Sequence, residues 1–300
     1  MKKVVVSGAD SFLAFHLIEA LCLKGYEVTG CDVREGKNSR HLIETHKNFT
    51  FLTCDITDTD QVKKTFADAD CIYHLAAVSS ERFCKEEPVK SFEINVKGIL
   101  NILNAVREKK PLFVFSSSAS VYPDSVKPKK EEEASFTGKF YGTAKFTAEE
   151  YCRLFQKEFG VPYVIFRFSR LYGPRMERNP VFDISKGLVN NQKILLYEGL
   201  ESNYDFIYVE DVVMALLTAM EDKWKNGTFN ISSAKGVTLK ELLNTYFKAS
   251  GREVPFEVKR DVSQTDIVDN SKAVKLGFAP RVSLKEGLKK TYLYFSESKF

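Results

Sequence analysis

Tyr141 and Lys145 stand four residues apart in a segment, Tyr141 to Phe159, whose apolar spacing predicts a helix. That interval puts a phenol and an ammonium on one helix face. A phenol with a pKa of about 10 is a poor base at neutral pH, and a neighbouring ammonium lowers that value by stabilising the phenolate. The pair therefore suits proton transfer to and from a hydroxyl or carbonyl. Ser118, at the end of an apolar stretch running from Leu112 into Ser116 and Ser117, can hydrogen-bond and polarise the same oxygen.

The elements that must hold these groups read as alternating strands and helices. Val4 to Val6 form a short buried strand, Gly8 begins a tight turn, and an amphipathic helix follows from about Ser11 to Leu23, closed by Gly25. Amides at the start of that helix, around Ser11, Phe12 and Leu13, are placed to receive a pyrophosphate. A second strand, Glu27 to Cys31, ends at Asp32, whose carboxylate would accept hydrogen bonds from an adenosine ribose and repel a 2′-phosphate. NAD is thus expected over NADP, with Arg34 pulling slightly the other way. Strands at Phe49 to Thr53, Cys71 to His74 and Tyr163 to Phe166, and helices from about Asp58, Pro88 and Thr238, continue the alternation.

Composition narrows the function. The chain has 300 residues with 44 Lys plus Arg against 40 Asp plus Glu, a net charge of +4, and its basic residues are scattered or answered by acids. Nucleic acid is not expected as a partner. Cys22, Cys31, Cys54, Cys71, Cys84 and Cys152 lack metal-ligand spacing, so no metal is expected; buried reduced thiols and a cytoplasmic location are, with Cys84 alone exposed in a polar loop. The most apolar window, Phe12 to Leu23, is too short to span a bilayer, and three valines after Lys3 are too few for a signal-peptide core.

Ser-Ser-Ser-Ala-Ser-Val-Tyr at 116–122, followed by Tyr-x-x-x-Lys at 141–145, resembles the extended short-chain dehydrogenases, the NAD-dependent sugar-nucleotide epimerases and dehydratases. Other stretches carry the same resemblance in the same order. His74-Leu75-Ala76-Ala77 is similar to a segment that runs close to the cofactor, Asp55-Ile56 to one beside the adenine, and Asn95-Val96-Lys97-Gly98 to one whose asparagine ties loops to the cofactor site. The resemblance also implies cofactor contacts for Ser116, Phe168, Tyr141 and Lys145. The phosphate turn departs from the family, with Ser11 and Ala14 in place of two glycines. So does the segment Arg167 to Pro174, with Arg170 where an asparagine usually meets the nucleotide sugar, and Tyr204 stands where an arginine commonly holds a phosphate. Arg170, Arg175 and Tyr204, with Ser118, are the expected substrate contacts.

The expected fold is α/β, a Rossmann-like doubly wound parallel sheet with a smaller C-terminal substrate-binding lobe. The dinucleotide-binding domain would span 1–169 with 205–231 returning to it, and the lobe 170–204 and 232–300. The resemblance implies a UDP-sugar 4-epimerase acting by hydride transfer through a 4-keto intermediate, and a homodimer paired through the helices at Pro88 to Lys109 and Tyr141 to Phe159. The main alternative is an NAD(P)H-dependent 4-keto-sugar-nucleotide reductase, which Pro123 favours and Asp32 opposes. A dehydratase ranks lower because Ala119 and Ser120 replace its Asp-Glu pair, and a non-catalytic dinucleotide-binding protein lower still because Ser118, Tyr141 and Lys145 are intact.

Overall fold

The computed structural model describes residues 2–260, 262 and 264–298. In chain order its first part comprises β1 (Lys3–Ser7), α1 (Phe12–Leu23), β2 (Glu27–Asp32), α2 (Lys37–Thr45), β3 (Phe49–Thr53), α3 (Thr59–Phe66), β4 (Cys71–His74), α4 (Glu81–Glu86), α5 (Pro88–Phe92), α6 (Gly98–Val106), β5 (Leu112–Ser118), α7 (Phe140–Phe159) and β6 (Tyr163–Phe168). There follow β7 (Arg170–Tyr172), α8 (Pro180–Asn190), β8 (Ile194–Leu196), β9 (Asn203–Tyr208), α9 (Val209–Thr218), β10 (Gly227–Ile231), β11 (Gly236–Thr238), α10 (Leu239–Ser250), β12 (Phe256–Val258), β13 (Thr265–Asp266), α11 (Ser271–Lys275) and α12 (Leu284–Ser298).

Seven strands form the main sheet in the order β10-β6-β5-β4-β1-β2-β3. β1 pairs in parallel with both β2 and β4, β2 with β3, and β4 with β5. Strands covered on both faces read as apolar runs, which is why Val4 to Val6, Cys71 to Tyr73 and Tyr163 to Phe166 are buried without alternation. One core lies between the sheet and its helices, where Ile72 and Phe113 join Val62, Phe66, Ile99, Ile102, Ala148 and Cys152. The direction of winding reverses between β1 and β4, the place where a doubly wound sheet opens a crevice at the strand ends.

The chain divides into two compact units, one comprising Met1–Pro123, Glu131–Arg167 and Val213–Phe229, the other Asp124–Lys130, Phe168–Val212 and Asn230–Phe300. Against the expected division, residues 124–130, 168–169, 205–212 and 230–231 fall in the second unit. The strand near Asp205 does not return to the main sheet; β9 pairs through Asn203 and Tyr204 with β13 and through Phe206 to Tyr208 with β7, while β11 lies antiparallel along it. With its pairing met there, residues 205–212 belong to the second unit. The stretch Asp124–Lys130 belongs there too, because the Lys129 amide donates to the Ile267 carbonyl and its ammonium pairs with Asp266 at 2.9 Å. From the segment 205–231, β10 joins the main sheet, beside β6.

The long helix expected from Pro88 to Lys109 is interrupted by a π-helical turn, Glu93–Lys97, between α5 and α6. Cys84 is also not exposed as expected. It lies on the inner face of α4, with no accessible surface, and its thiol faces the Val78 carbonyl at 3.5 Å. All six cysteines are free and buried. Among the described residues no helix is long and apolar enough to cross a membrane.

Candidate active site

The first helical residues of α7 are fixed by a carboxylate from another element. Lys139, the N-cap, provides no side-chain bond to the helix; instead Glu81 of α4 accepts the Phe140 N–H at 2.8 Å and the Tyr141 N–H at 2.9 Å, one on each oxygen. A helix leaves its first amides unpaired, and a negative charge at that end is favourable. Gly142 then lies so close to the chain after β5 that a Cβ there would be 2.1 Å from the Ser120 carbonyl oxygen. Together these contacts set Tyr141 against the short 3₁₀ turn Ala119–Val121 that follows Ser118. The Ser118 hydroxyl accepts the Ser120 N–H and donates to the Ser120 hydroxyl, both at 3.1 Å.

One turn along α7, Lys145 is buried, and its ammonium donates to the Ser116 carbonyl at 2.7 Å. It lies 4.6 Å from the centre of the Phe115 ring and 5.8 Å from that of Tyr141. Burial pushes its pKa down to about 8, against the opposing pull of Glu149. Tyr141 and Lys145 thus lie together beside the Ser116–Ser120 segment on the first unit, and a phenol next to an ammonium suits proton transfer.

Behind this group is a buried ion pair that the sequence reading did not single out. Glu149, without accessible surface, accepts the Ser117 hydroxyl at 2.6 Å and the Arg167 Nε–H at 2.8 Å. Arg167 also donates to the Tyr122 hydroxyl at 2.9 Å and the Glu131 carbonyl at 2.6 Å. Burial opposes the guanidinium charge, yet the Glu149 contacts hold its pKa above the usual arginine value. The signal was present: Tyr141, Lys145 and Glu149 are spaced four by four along α7.

At the reversal point of the sheet a cavity of about 580 Å³ is lined by Gly8, Ser11, Asp32, Asp55, Ile56, Leu75, Ala76 and Ala77, all expected there, and also by Val33, Lys90, Glu93 and Ile94, which were not. Gly8 has φ +74°, and a Cβ on it would sit 2.7 Å from the Ala76 nitrogen, so the two backbones meet only because that atom is missing. Ser11 caps α1 by its backbone alone, and its exposed hydroxyl makes no capping bond. Phe12 and Leu13 open α1. Asp32 accepts the Asp10 N–H at 3.2 Å and the Val33 N–H at 2.8 Å, while burial raises its pKa. Asn95 holds the cavity loop, accepting the Val78 N–H and donating to the Val78 carbonyl, each at 2.9 Å. His74 shares a 2.7 Å hydrogen bond with Ser7, and burial, assisted by the Lys145 charge, pushes its pKa down to about 3, which marks it as a neutral packing residue. A turn whose first residue, Gly8, has no side chain, an acid closing β2 and a ligand-sized crevice fit a dinucleotide.

The second unit contains Phe168, Arg170, Arg175 and Tyr204. Phe168 ends β6 and is buried. The Arg170 guanidinium lies 3.5 Å from the centre of the Tyr204 ring and pairs with Glu198 at 3.6 Å. Tyr204 has no accessible surface, and its ring lies against the Arg170 guanidinium. Arg175 has φ +68°, with its guanidinium 6.0 Å from the Tyr294 ring.

Residues 4–232 match the NAD dependent epimerase/dehydratase family. A UDP-glucose 4-epimerase of Thermotoga maritima, solved with UDP-glucose, is 30% identical over 99% of both chains with a TM-score of 0.90. A UDP-glucuronic acid 4-epimerase of Bacillus cereus, solved with UDP-glucuronic acid and NAD, is 27% identical over 99% of both chains with a TM-score of 0.91. A UDP-N-acetyl-alpha-D-glucosaminuronate decarboxylase of Bacillus cytotoxicus is 27% identical over 316 residues, 99% of this chain and 98% of the relative. Sequence match, sheet order and the Tyr141 and Lys145 pair agree, and the chain belongs to the NAD dependent epimerase/dehydratase family.

Proposed function

We propose that this chain is an NAD-dependent UDP-sugar 4-epimerase that works through a transient 4-keto sugar. The observation that carries the reading is the placement of Tyr141, 5.8 Å (ring centre) from a buried Lys145 ammonium, on the helix packed against the Ser118 turn. Gly8, Ser11, Asp32 and the Leu75 to Ala77 loop would hold NAD, which when bound accepts a hydride from the sugar carbon and returns it. Tyr141 takes the proton from the C4 hydroxyl as the hydride leaves, and gives it back on reduction. Ser118 donates a hydrogen bond to the same oxygen. Lys145 favours the phenolate form of Tyr141 and, from its buried position, the nicotinamide ribose. Inversion at C4 would follow if the 4-keto sugar turned over before it was reduced, with Tyr141 protonating the same oxygen.

The second unit is assigned to the nucleotide sugar, with Arg170 and Arg175 as its candidate diphosphate contacts, for which a guanidinium fork is well shaped. Support for a UDP-sugar comes from the two epimerase structures. We further infer a homodimer and a cytoplasmic location, the latter from six reduced, buried thiols.

The test is a panel of UDP-sugars incubated with the protein and NAD⁺ in deuterium oxide, read by proton NMR. Inversion at C4 without solvent deuterium on the ring carbons is the expected result, because the hydride stays within the complex. Deuterium at C5, loss of water or loss of carbon dioxide would replace the reading with a dehydratase or decarboxylase.

A further inference from the structure

Nine residues long, α2 begins with Gly36 at its N-cap and Lys37 in its first turn, so it carries neither a capping side chain nor an acidic residue of its own at the end where an anion is favoured. That end is occupied from another part of the chain. The Asp10 carboxylate accepts the Ser39 N–H at 2.8 Å and the Ser39 hydroxyl at 3.0 Å, and the Asp10 carbonyl accepts the Asn38 side-chain N–H at 2.9 Å. Asn38 and Ser39 are both buried. A Cβ on Gly36 would fall 1.8 Å from the other Asp10 oxygen, so glycine is required for the carboxylate to reach the helix. Asp10 lies in the phosphate turn itself, and its own N–H donates to the Asp32 carboxylate at 3.2 Å. Two carboxylates, joined through one backbone bond, therefore stand where the chain leaves β2, and the Ser39 N–H and hydroxyl in the first turn of α2 are already taken.

We propose that Asp10 is a second determinant of cofactor choice, acting with Asp32: its carboxylate occupies the N-terminus of α2 as an internal anion and keeps the 2′-phosphate of NADP from being received there. This inference rests on the NAD reading above. Asp32 repels that phosphate beside the ribose; Asp10 removes the compensating donors and adds a second like charge. Arg34, the nearby cation, is exposed, and its charge acts on Asp32.

The experiment is calorimetric titration of the full chain with NAD⁺ and with NADP⁺, for the wild type, Asp10→Asn and Asp10→Ala. Asn keeps the oxygen that Ser39 uses and removes only the charge, so it preserves the turn; Ala also frees the α2 amide. The ratio of the NADP⁺ to the NAD⁺ dissociation constant should fall about tenfold in Asp10→Asn, the scale of one like charge removed at short range near a protein surface, and further in Asp10→Ala. A ratio unchanged in both variants, with NAD⁺ still bound, overturns the inference alone. A wild type that binds neither dinucleotide overturns the cofactor reading and this inference with it. Melting temperatures of the three proteins identify any loss of binding caused by unfolding, and Asp10→Asn decides the matter if Asp10→Ala does not fold.

Discussion

Lys145 donates to the Ser116 carbonyl at 2.7 Å while its ammonium stays 5.8 Å from the centre of the Tyr141 ring. The carbonyl bond anchors the charge on β5, the central scaffold, so the phenol beside it senses a cation whose position does not depend on substrate. A buried cation held by one neutral acceptor is costly to keep charged, and this explains the depressed pKa of about 8.

The pH dependence follows from that value. Above about pH 8 the ammonium loses its proton and with it the field that favours phenolate, so the wild-type rate should fall on the alkaline side. Lys145→Met should lack this limb, be slower at neutral pH, and recover in part as pH rises and Tyr141 ionises unaided. Stability moves the other way. The folded pKa lies below the ordinary 10.5, so between about 8 and 10.5 the unfolded chain binds more protons, and stability gains with rising pH through that window. Turnover and chemical denaturation measured from pH 6 to 10 check both signs; an alkaline limb that persists in Lys145→Met would assign it to another group.

Glu81→Ala removes the carboxylate that receives the first two amides of α7. A capping loss of about 1 kcal/mol is the expected stability cost. Turnover should fall about tenfold with KM little changed, since small displacements of a reacting group lower rate steeply. Glu81→Gln, which keeps one acceptor oxygen, should fall between. An unchanged kcat in Glu81→Ala would show that Gly142 packing alone sets Tyr141.

What the sequence made legible was what lies close in sequence. The turn at Gly8, the acid closing β2 and the four-residue spacing of Tyr141 and Lys145 are local patterns, and so are the ends of β3 and β4. The contacts that support them are distant: Glu81 and Tyr141 lie 60 residues apart, Ser117 and Glu149 lie 32 apart, and Asp10 and Ser39 lie 29 apart. Only the topology joins such pairs. The aromatic and β-branched residues of β9 give its strand character but not its sheet, because pairing depends on β7, β11 and β13, which are short and weakly patterned. Cys84 was misread from its charged neighbours Arg82, Lys85 and Glu86, although a single helical turn can turn one side chain inward while three face water.

The Glu149 and Arg167 pair should be a point of high sensitivity. Glu149→Leu would leave the Arg167 guanidinium, itself buried, without its counter-charge and the Ser117 hydroxyl without its acceptor. Breaking a buried pair in this way costs about 3 to 5 kcal/mol. Denaturant titration of Glu149→Leu against Glu149→Gln, which retains one oxygen for Arg167, should give clearly different midpoints; near-wild-type stability in both would mean that the ion pair contributes little beyond packing.

Tyr141→Phe bears most directly on the chemistry. The change removes one hydroxyl and keeps the ring, the helix and its Glu81 cap, which bonds only to backbone N–H groups. The fold and NAD⁺ binding should therefore survive. Whatever is lost comes chiefly from proton transfer, and general acid-base catalysis is worth about 10² to 10⁴ in rate. Turnover of a UDP-sugar substrate should fall by that order at neutral pH, with KM changed far less, and unlike Lys145→Met the loss should not be relieved by raising the pH, because no phenol remains to ionise. Ser118→Ala, which leaves the proton acceptor in place and removes only a hydrogen bond to the same oxygen, should be milder. Full turnover in Tyr141→Phe would move the proton transfer to another residue and leave the Lys145 ammonium without a catalytic partner.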